Sequence, residues 1–406
     1  MAVKENNSIQ RFVFLNQSTK PLFRELCIDV AQHFPESSLL STGDKETLAK
    51  EFWSPHLKIR SSPAYNRKST WSRLFSWLSY TFDSVFVIGR AGPKTAVFFA
   101  SNPPIIGLFV WLLSKLKGFP YIVLVYDLYP EVLVNFGVLR KNGFLTKLWR
   151  RCNALVWESA SMVLTLGEKM AERLTCQFDA SCTELGRVAV LPPWADTDVI
   201  CPVPKSENSL AEEMGQLGGT TILYSGNLGI SHDIDSILEA CRLLRGRRDI
   251  RFLLIGGGDK WEDVVSFQAS HELEGLSVFP YQAEERLPYS LALGDISLVT
   301  LVEGAEGLML PSKVSYYMAA GSAILGICSG DNDLKDTIER ADCGVCVPPN
   351  RPDLLAEAIT RLVDRPALLR RYRSNAIKSA KSTYSRKIGI QNLKELLQKT
   401  GYMWLA

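Results

Sequence analysis

The sequence predicts an α/β protein with two doubly wound parallel sheets, and three observations support this fold class. The chain has 406 residues, short apolar runs alternate with helix-length segments, and a cluster of prolines interrupts that alternation near the middle. A chain of this length exceeds the size at which a single hydrophobic core keeps growing, so two domains are expected. Alternating strands and helices imply parallel strands joined by crossover helices.

The first half of the chain contains the elements of the first predicted domain. A strand at residues 11–15 is followed by a helical pattern at 21–34, in which Leu22, Leu26 and Val30 share one face. Further strands are predicted at residues 95–99, 121–125, 162–166 and 188–191. We therefore expect a parallel sheet in this half.

The proline cluster between residues 192 and 204 marks a boundary, because clustered prolines prevent a helix or strand from continuing. After it, strands are predicted at 221–224, 251–255, 277–279, 296–301, 323–328 and 344–347. The predicted organisation is an N-terminal domain (1–192), a linker (193–208), a C-terminal domain (209–385) and a final helix within 386–406 that packs back on the N-terminal domain. The two domains are expected to face each other across a cleft.

Composition and charge exclude several classes of protein. Lys plus Arg number 46 against 43 for Asp plus Glu, a surplus too small to indicate nucleic-acid binding. Nine scattered cysteines indicate a reduced, cytoplasmic protein rather than a disulfide framework. Cys343 and Cys346 have the spacing of a zinc pair, but without a second pair we predict core cysteines and no metal. The polar N-terminus is not a signal peptide, and no run reaches the length of a membrane span.

Two segments, 71–82 and 105–117, combine aromatic and aliphatic residues with basic ones. Buried crossover helices explain both segments. The alternative is a surface that lies on an anionic membrane, where each basic residue adds on the order of 1 kcal/mol. An excess of Lys and Arg between residues 58 and 94 favours this alternative, so peripheral contact with the inner face of a membrane stays open.

Residues 303–313 lie between a predicted strand and a predicted helix, where open α/β sheets bind ligands. Glu303 and Glu306 are each followed by a glycine, so the backbone that carries them can turn sharply. A single loop glutamate would be an exposed acid without a function. Two such acids beside a helix start predict a polar group of a ligand at this place.

The start of the following helix carries Pro311, Ser312 and Lys313. A first-turn proline and a capping serine are typical of a helix N-terminus, whereas a lysine there costs roughly a few tenths of a kcal/mol against the helix dipole. A bound anion offsets that cost. These residues therefore predict a phosphate-bearing ligand.

A glycine-containing loop at residues 225–233 also joins a strand to a helix. Its glycines let backbone approach a phosphate, and the alternative, a turn capped by Asp233, is compatible with this. For His232 alone, a solvent-facing side chain and a ligand contact are both open. A nicotinamide dehydrogenase is disfavoured, because residues 256–258 begin a Gly-x-Gly-x-x-Gly pattern whose third glycine is replaced by Trp261.

Asp127 lies two residues after the predicted strand 121–125. A carboxylate at the carboxyl end of a strand is suited to bind a hydroxyl or to act as a base. The alternative is a helix start with Pro130 in its first turn.

Several motifs occur in order along the chain: SNPP (101–104), YDLYPE (126–131), LPPWAD (191–196), YSGNLGISHD (224–233), FLLIGGG (252–258), EGLMLPSK (306–313) and MAAG (318–321). Together they resemble family 4 glycosyltransferases, in particular the branch with bacterial exopolysaccharide and O-antigen sugar transferases. The resemblance is most specific after the proline cluster.

The resemblance implies a GT-B fold of two Rossmann-like domains, with a nucleoside diphosphate sugar bound in the C-terminal domain and an acceptor in the N-terminal one. It implies a retaining transfer without a metal, and no cofactor besides the donor substrate. The acceptor is expected to be a glycan, a lipid-linked molecule or a small molecule.

The family's two glutamates would fall at Leu308 and Tyr316, so that motif is not intact here. Glu306 is then the nearest substitute for the acid that holds the sugar hydroxyls, with Glu303 behind it. The family's Arg and Lys on the pyrophosphate are replaced by other residues, which makes Lys313 the main cation.

The catalytic candidates are Glu306, which positions the donor sugar, and Asp127, which orients the acceptor or accepts its proton. The donor-binding candidates are Asn227, Gly229, His232, Tyr281, Glu303, Gly307, Ser312, Lys313 and Tyr316. The acceptor-binding candidates are Asn16, Asn102 and Glu131.

Two other functions remain compatible with the sequence. One is a sugar-nucleotide epimerase of the same fold, which would act without an acceptor. The other is a binding or regulatory subunit that has lost catalysis, as the altered glutamate motif and the replaced Arg and Lys allow.

Overall fold

The computed structural model describes residues 9–18, 21–44, 47–48, 54–63, 70–176, 187–229, 232–271, 273–301 and 303–401. The chain forms two compact units, one of Met1–Pro192 with Gly389–Ala406 and the other of Pro193–Ile388. Most of the N-terminal stretch 1–10 lies outside the described residues, as do Arg67 and Lys68 of the basic stretch.

The first unit contains a parallel sheet with helices between its strands. The strands are β1 (Arg11–Leu15), β2 (Ser37–Thr42), β3 (Leu57–Ser62), β4 (Thr95–Ala100), β5 (Tyr121–Val125), β6 (Met162–Thr165) and β7 (Val188–Val190). The helices are α1 (Pro21–His33), α2 (Thr70–Ile88), α3 (Ile106–Lys117), α4 (Glu131–Asn135), α5 (Phe144–Ser159) and α6 (Glu168–Thr175). The strand order is β3-β2-β1-β4-β5-β6-β7, so the order reverses between β1 and β4.

The centre of this sheet is buried on both faces. Every residue of β4 and β5 is buried, as expected for inner strands of a parallel sheet covered by helices. The rings of Phe14, Phe23 and Phe98 pack together with centroids 5.9 to 6.4 Å apart. This packing holds in place the strand ends that carry the polar residues of the unit.

The second unit repeats the same architecture with six parallel strands. They are β8 (Thr220–Asn227), β9 (Ile250–Gly257), β10 (Leu276–Pro280), β11 (Ile296–Thr300), β12 (Ala323–Ile327) and β13 (Gly344–Val347), in the order β10-β9-β8-β11-β12-β13. The helices are α7 (Ser209–Glu213), α8 (Ile234–Leu243), α9 (Trp261–His271), α10 (Leu287–Ala292), α11 (Lys313–Ala319), α12 (Asp333–Arg340), α13 (Pro352–Val363) and α14 (Pro366–Ser382).

The last helix, α15 (Arg386–Lys399), begins in the second unit, and from Gly389 onward it belongs to the first. Arg386 donates to Asp196 Oδ2 over 2.9 Å near the start of the second unit. Leu393 and Leu397 are buried. The chain thus leaves the first unit once and returns to it through a single helix.

The predicted strands 121–125 and 344–347 have these bounds in the structure, and the predicted alternation is confirmed on both sides of the proline cluster. The strands β2 (SSLLST) and β3 (LKIRSS) were not predicted, because neither has an apolar run. In β2 a buried serine replaces an apolar residue. Ser37 Oγ accepts from the Phe12 N–H over 2.9 Å and donates to Phe34 O over 2.6 Å.

The predicted burial of segments 71–82 and 105–117 is wrong for one face of each helix. On α2, Phe75 and Phe82 are 75% and 76% exposed, and on α3, Leu116 is 72% exposed. Apolar residues on several faces of a helix usually indicate burial, but the sheet can cover only one side of each helix. In the part of the chain that the structure describes, no helix is long and apolar enough to cross a membrane.

Candidate functional site

Near the carboxyl end of β8, the side chains of Lys313 and His232, both predicted to bind phosphate, contact the ring of Tyr224. Tyr224 is fully buried, and Lys313 Nζ lies 4.0 Å from the centroid of its ring. The ring of His232 meets the same ring edge-on, with centroids 6.3 Å apart. Lys313 and His232 therefore both lie against Tyr224, although they are distant in sequence.

Tyr224 offers the lysine a neutral ring. Burial, with smaller contributions from Tyr317 and Tyr281, raises the pKa of Tyr224 well above its usual value. Its hydroxyl donates to Asn227 O over 2.6 Å, which fixes the ring. A fixed, neutral ring face attracts an ammonium group through the cation–π interaction, so Lys313 is held at the end of the strand.

Gly226 leaves the space that the lysine occupies. Its φ is +141°, a value that favours glycine. A Cβ at this position would lie 2.9 Å from Lys313 Nζ, closer than real Cβ contacts allow. The positive φ is therefore the structural reason for glycine at this position, and an added Cβ would also displace the end of the flexible Lys313 side chain.

Asn227 lies against bare backbone of two glycine loops. A Cβ at Gly258 would lie 2.6 Å from Asn227 Oδ1, and one at Gly229 would collide with the Asn227 amide. The Leu228 N–H donates to Gly257 O over 2.8 Å and joins the two loops. The predicted donor residues Asn227 and Gly229 are thus held in one compact turn.

The start of α8 confirms the prediction of a capped turn. The Asp233 carboxylate accepts from the N–H groups of Ser236, over 3.1 Å, and Asn350, over 2.8 Å. Beside it, His232 Nδ1 lies 3.0 Å from Thr300 Oγ1. The chain's own carboxylate therefore occupies this helix N-terminus, and His232 is half-buried rather than free in solvent.

The two predicted acids have different surroundings. Ser329 Oγ donates to Glu306 Oε1 over 2.8 Å, and Glu306 is half-buried, whereas Glu303 is exposed. Gly304 and Gly307 have φ values of +87° and +63°, which confirms the predicted sharp turns. The structure thus fixes Glu306 and leaves Glu303 at the surface.

The predicted roles of Pro311 and Ser312 at the start of α11 are wrong. The helix begins at Lys313, so the proline precedes it. Ser312 has φ −63° and ψ −16°, and its side chain makes no cap hydrogen bond. A capping serine needs an extended backbone, so a serine already in the helical conformation does not reach the next N–H groups.

Tyr317 is a residue of this region that the sequence did not indicate. Its hydroxyl accepts from the Ser225 N–H and donates to Ser225 O, both over 2.8 Å. It ties α11, and hence Lys313, to the end of β8. The neighbouring Tyr316 is half-buried, and its hydroxyl oxygen is buried.

Tyr281 follows the carboxyl end of β10 and lies next to Gly257, the last residue of β9. Its ring would be 3.2 Å from a Cβ at Gly257, and its hydroxyl donates to Gly257 O over 3.2 Å. The side chain is 58% exposed. An exposed aromatic ring beside the strand ends is suited to stack on a flat ligand group.

In the first unit, the ends of β1 and β4 bring Asn16 and Asn102 close together. The Gln17 N–H donates to Asn102 O over 3.3 Å, and Gln17 Nε2 donates to Ser76 O over 3.0 Å. Both Asn16 Nδ2 and Gln17 Oε1 are buried without a hydrogen-bond partner among the described residues. Gln17 was missed, although it follows the predicted acceptor residue directly.

The carboxylates of Asp127 and Glu131, both predicted near the acceptor, have different surroundings. Asp127 lines an apolar cavity of about 540 Å³ in the first unit. Glu131, the first residue of α4, instead accepts from Arg150 Nε over 2.8 Å. An arginine pair neutralises Glu131, so the two acids do not have the same chemical role.

Cys343 lies directly before β13 and is buried, and Cys346 lies within β13 and is half-buried. Burial raises the pKa of Cys343 to about 12, so its thiol stays protonated at neutral pH. Over the described ranges, no group of three or more His, Cys, Asp or Glu side chains is arranged to hold a metal ion.

Two family models match the chain. One, described as a glycosyl transferase 4-like domain, matches residues 24–194, and the other, described as glycosyl transferases group 1, matches residues 219–365. The first match falls almost entirely in the first unit, and the second falls within the second unit.

Curated relatives have names of the same kind. The chain is 27% identical over 303 residues to the probable glycosyltransferase WbjE of Pseudomonas aeruginosa, with 74% of each chain covered. It is 24% identical over 260 residues to the putative colanic acid biosynthesis glycosyl transferase WcaI of Escherichia coli K12, with 63% of each covered.

Among solved structures, the chain is similar to HepE of Anabaena in complex with UDP-glucose, with a TM-score of 0.71 over 96% of this chain and 99% of HepE. The sequences are 15% identical, so the likeness concerns the fold. It confirms the predicted fold class of two doubly wound α/β units.

Proposed function

The chain belongs to the family 4 glycosyltransferases and has their GT-B fold, and we propose that it moves a sugar from a nucleoside diphosphate sugar to an acceptor hydroxyl with retention of configuration. The observation that carries this proposal is the arrangement at the end of β8. There Lys313 and His232 flank the ring of Tyr224, and Gly226 leaves room for the lysine.

Lys313 has the role of stabilising the leaving diphosphate. Negative charge develops on the diphosphate as the bond to the sugar breaks, and a cation already in position lowers the energy of that state without reorganisation. His232 and the backbone of the loop at Gly229 assist. HepE, whose structure holds UDP-glucose, supports a nucleotide sugar as the donor. Because the chain supplies the Lys313 ammonium itself, the proposed transfer needs no metal.

Glu306 has the role of positioning the donor sugar. Its Oε1 accepts from Ser329, which leaves Oε2 to accept from a sugar hydroxyl. Tyr281 is assigned to the nucleobase and Tyr316 to the ribose. Glu303, on the exposed side of the same loop, is assigned a secondary contact with the donor.

Asp127 in the first unit orients the acceptor hydroxyl through a hydrogen bond or accepts its proton. In a retaining transfer the leaving phosphate can take that proton instead, and Asp127 then acts by orientation alone. Asn16 and Asn102 are assigned to the polar part of the acceptor. Glu131 contributes through its pair with Arg150, which holds α4 and α5 together.

The proposed setting is polysaccharide or glycolipid synthesis in the cytoplasm, at the inner face of an anionic membrane. The name of WcaI, which refers to colanic acid biosynthesis, supports the pathway class. The exposed apolar residues on α2 and α3 support the membrane contact. Liposome co-sedimentation tests it, and absence of binding to anionic vesicles at low salt would exclude it.

A catalytically impaired binding subunit is the second candidate. It is favoured by the residues at the two glutamate positions of the family, since Leu308 is fully buried and Tyr316 has a buried hydroxyl. Such a subunit would gain thermal stability from a nucleotide sugar but transfer nothing to any acceptor.

The test of the proposed function is nucleoside diphosphate release from a panel of nucleotide sugars, with and without glycan and lipid-linked acceptors. One donor should be turned over, and turnover should rise with an acceptor, which an epimerase would not require.

Glu306→Gln should lower that turnover by at least about tenfold, because one hydrogen bond to the reacting sugar is lost. Unchanged turnover in Glu306→Gln contradicts the assignment. Exposed Glu357 on α13 offers a control in Glu357→Gln.

A further inference from the structure

The side chains of two cysteines converge on one glycine of the second sheet. Gly326 of β12 is paired with Cys346 of β13, and Cys328 follows two residues after that glycine. Side chains two residues apart along a strand point to the same face of the sheet. A Cβ at Gly326 would lie 2.9 Å from Cys346 Sγ and 3.7 Å from Cys328 Sγ. The glycine therefore leaves the space in which the two sulfur atoms meet.

The two thiols differ in how readily they lose a proton. A hydrogen bond from the Cys346 thiol lowers the pKa of Cys328, with smaller contributions in the same direction from Asn332 and Lys335. The same hydrogen bond, together with burial, raises the pKa of Cys346. Because the thiolate is the reactive form of cysteine, Cys328 has the features of an attacking sulfur and Cys346 those of its partner.

The start of α12 contributes to the difference between the two thiols. Asn332 caps this helix, since its Oδ1 accepts from the Lys335 N–H over 2.9 Å and its Nδ2 donates to Ser329 O over 2.9 Å. The helix packs against both β12 and β13. A cysteine beside a helix N-terminus and a lysine is more easily deprotonated than one in an apolar core.

Two other cysteines of the second unit show the contrast. Burial raises the pKa of Cys241 and that of Cys343 to about 12. Both thiols therefore stay protonated at neutral pH and are inert toward oxidants. Cys328 is also buried, but its neighbours lower its pKa instead.

The backbone after Cys328 contacts the acid that is proposed to hold the donor sugar. Ser329 Oγ donates to Glu306 Oε1 over 2.8 Å. A Cβ at Gly330 would lie 3.6 Å from Glu306 Cγ, which is ordinary van der Waals contact. A displacement of residues 328–330 would therefore change the surroundings of the Glu306 carboxylate.

A disulfide between the two cysteines would require such a displacement. Strands about 4.8 Å apart with a rise of about 3.3 Å per residue place the Cα atoms of these diagonal positions about 8 Å apart. Disulfide-bonded cysteines usually have Cα atoms about 4.4–6.8 Å apart. Cys328 lies one residue beyond β12, where its N–H donates to Val347 O over 2.9 Å. The end of β12 would thus move toward β13 and carry Ser329 with it.

We propose that Cys328 and Cys346 form a reversible disulfide, and that this bond lowers sugar transfer by drawing Ser329 away from Glu306. The effect on transfer rests on the proposed function, whereas the disulfide itself does not. A disulfide that displaces backbone is strained, and strained disulfides are readily reduced and suited to regulation.

The oxidant is a hydroperoxide, of which hydrogen peroxide is the simplest. The Cys328 thiolate attacks one peroxide oxygen, so that an S–O bond forms and the O–O bond breaks, and the departing hydroxide takes a proton from solvent. The Cys346 sulfur then attacks the Cys328 sulfenic acid, so that an S–S bond forms and the S–O bond breaks, and the second hydroxide takes the Cys346 proton. The two sulfurs lose two electrons, and the peroxide becomes two waters. A dithiol returns two electrons and two protons and is itself oxidised.

The first experiment treats the full, reduced chain with hydrogen peroxide, blocks the remaining thiols and maps the cysteines by mass spectrometry. We expect a link between the tryptic peptides of Cys328 and Cys346 that dithiothreitol removes. Cys343 lies in the same tryptic peptide as Cys346, so a variant assigns the bond. Cys346→Ala should lose the link and leave a sulfenic acid at Cys328 that dimedone traps, whereas Cys201→Ala, at an exposed cysteine, should keep the link.

Absence of the link under conditions that oxidise the exposed Cys201 overturns the proposal. So does a link that persists in Cys346→Ala, because Cys343 would then be the partner.

The second experiment measures turnover of the identified donor before and after oxidation. Oxidised wild type should be at least about tenfold slower than the reduced protein, because Glu306 loses the hydrogen bond from Ser329, and dithiothreitol should restore the rate. Reduced Cys328→Ala should be as active as wild type and should lose less than about twofold on oxidation. Cys201→Ala should remain as sensitive as wild type. Thermal unfolding checks that Cys328→Ala is folded, and if it is not, Cys328→Ser replaces it.

Amide hydrogen exchange reports the displacement without any substrate. Exchange in residues 304–307 and 328–330 should be faster in the oxidised protein than in the reduced one, since the contact between the two segments is lost. Unchanged exchange, or unchanged turnover once the disulfide has formed, contradicts the effect on Glu306.

The outcomes separate this inference from the proposed function. Turnover of a nucleotide sugar by the reduced chain, without a disulfide between Cys328 and Cys346 after peroxide, sinks the redox site and leaves the glycosyltransferase standing. A reversible disulfide with faster exchange around Glu306, in a chain that turns over no nucleotide sugar, supports the redox site and contradicts the proposed transfer.

Discussion

The ends of the two sheets differ in how far the chain satisfies its own polar groups. In the second unit, Tyr317 is bonded to Ser225, Asp233 to α8, and Glu306 to Ser329. In the first unit, buried polar atoms of Asn16, Gln17, Trp77 and Glu131 have no hydrogen-bond partner among the described residues, and an apolar cavity lies close by.

Buried polar groups without a protein partner are costly unless an ordered water or a ligand bonds to them. A site whose polar groups are already bonded is preorganised and needs little change on binding. Under the proposed function, we therefore expect a rigid donor site in the second unit and an acceptor site in the first unit that its ligand completes.

The largest effect should come from Lys313→Ala. Removing the main cation from the leaving diphosphate is expected to lower kcat/KM by about 10²–10³-fold, as the loss of one preorganised donor does in other enzymes. Steady-state kinetics with the identified donor measures this. Lys378→Ala, at an exposed position on α14, is the matched control and should leave the rate unchanged. A kcat/KM of Lys313→Ala within a few-fold of wild type would contradict the role of Lys313 in the donor site.

Asp127→Asn should produce the next largest effect. An amide cannot accept the acceptor's proton, so we expect kcat to fall by about 10²-fold while the Kd of the donor stays unchanged. Glu131→Gln is the control within the same unit, and its partly exposed pair with Arg150 should limit the loss to about fivefold. Equal losses of kcat in the two variants would contradict a specific role of Asp127 in the transfer.

Gly226→Ala should lower both kcat/KM and the free energy of unfolding. The added methyl group would lie 2.9 Å from Lys313 Nζ, on a backbone with φ +141°. Displacing the ammonium should lower kcat/KM by roughly tenfold, and the strained backbone should cost about 1–3 kcal/mol of unfolding free energy. Gly246→Ala, which has no heavy atom within 4 Å of its new Cβ, should leave both quantities nearly unchanged. Equal behaviour of the two variants contradicts this description of Gly226.

Tyr317→Phe should have the smallest effect on the rate and a clear effect on stability. Loss of the hydroxyl leaves the Ser225 N–H and C=O without this partner, at a cost of about 1–3 kcal/mol. Urea unfolding measures this value. Tyr289→Phe, at a half-exposed position, is the control. No loss of stability in Tyr317→Phe would mean that α11 is not tied to β8 through this hydroxyl.

The sequence predicts the sheet pattern well because inner parallel strands are continuous apolar runs. Strand β5 is entirely buried and its bounds were predicted. Strands β2 and β3 were not predicted, because serines and charged residues replace apolar ones toward the edge of the sheet. Exposure of α2 was mispredicted because an apolar face alone does not reveal whether anything covers it.

Features of the candidate site were predictable from the sequence where they depend only on neighbouring residues. Glycines 304 and 307 predict turns, and Asp233 predicts a cap, from nearest neighbours alone. The bond between Tyr317 and Ser225 joins residues 92 positions apart, and no local pattern indicates it. Likewise the contact of Lys313 with Tyr224 depends on the folded sheet, although both residues were inside recognised motifs.

A crystal structure with a nucleoside diphosphate tests the central claim most directly. The ligand would be the diphosphate that raises the unfolding temperature of the protein the most. We expect its phosphate oxygens to contact Lys313 Nζ and the backbone at Gly229, with the base beside Tyr281. A diphosphate bound elsewhere, or one that makes no contact with Lys313, would contradict the account.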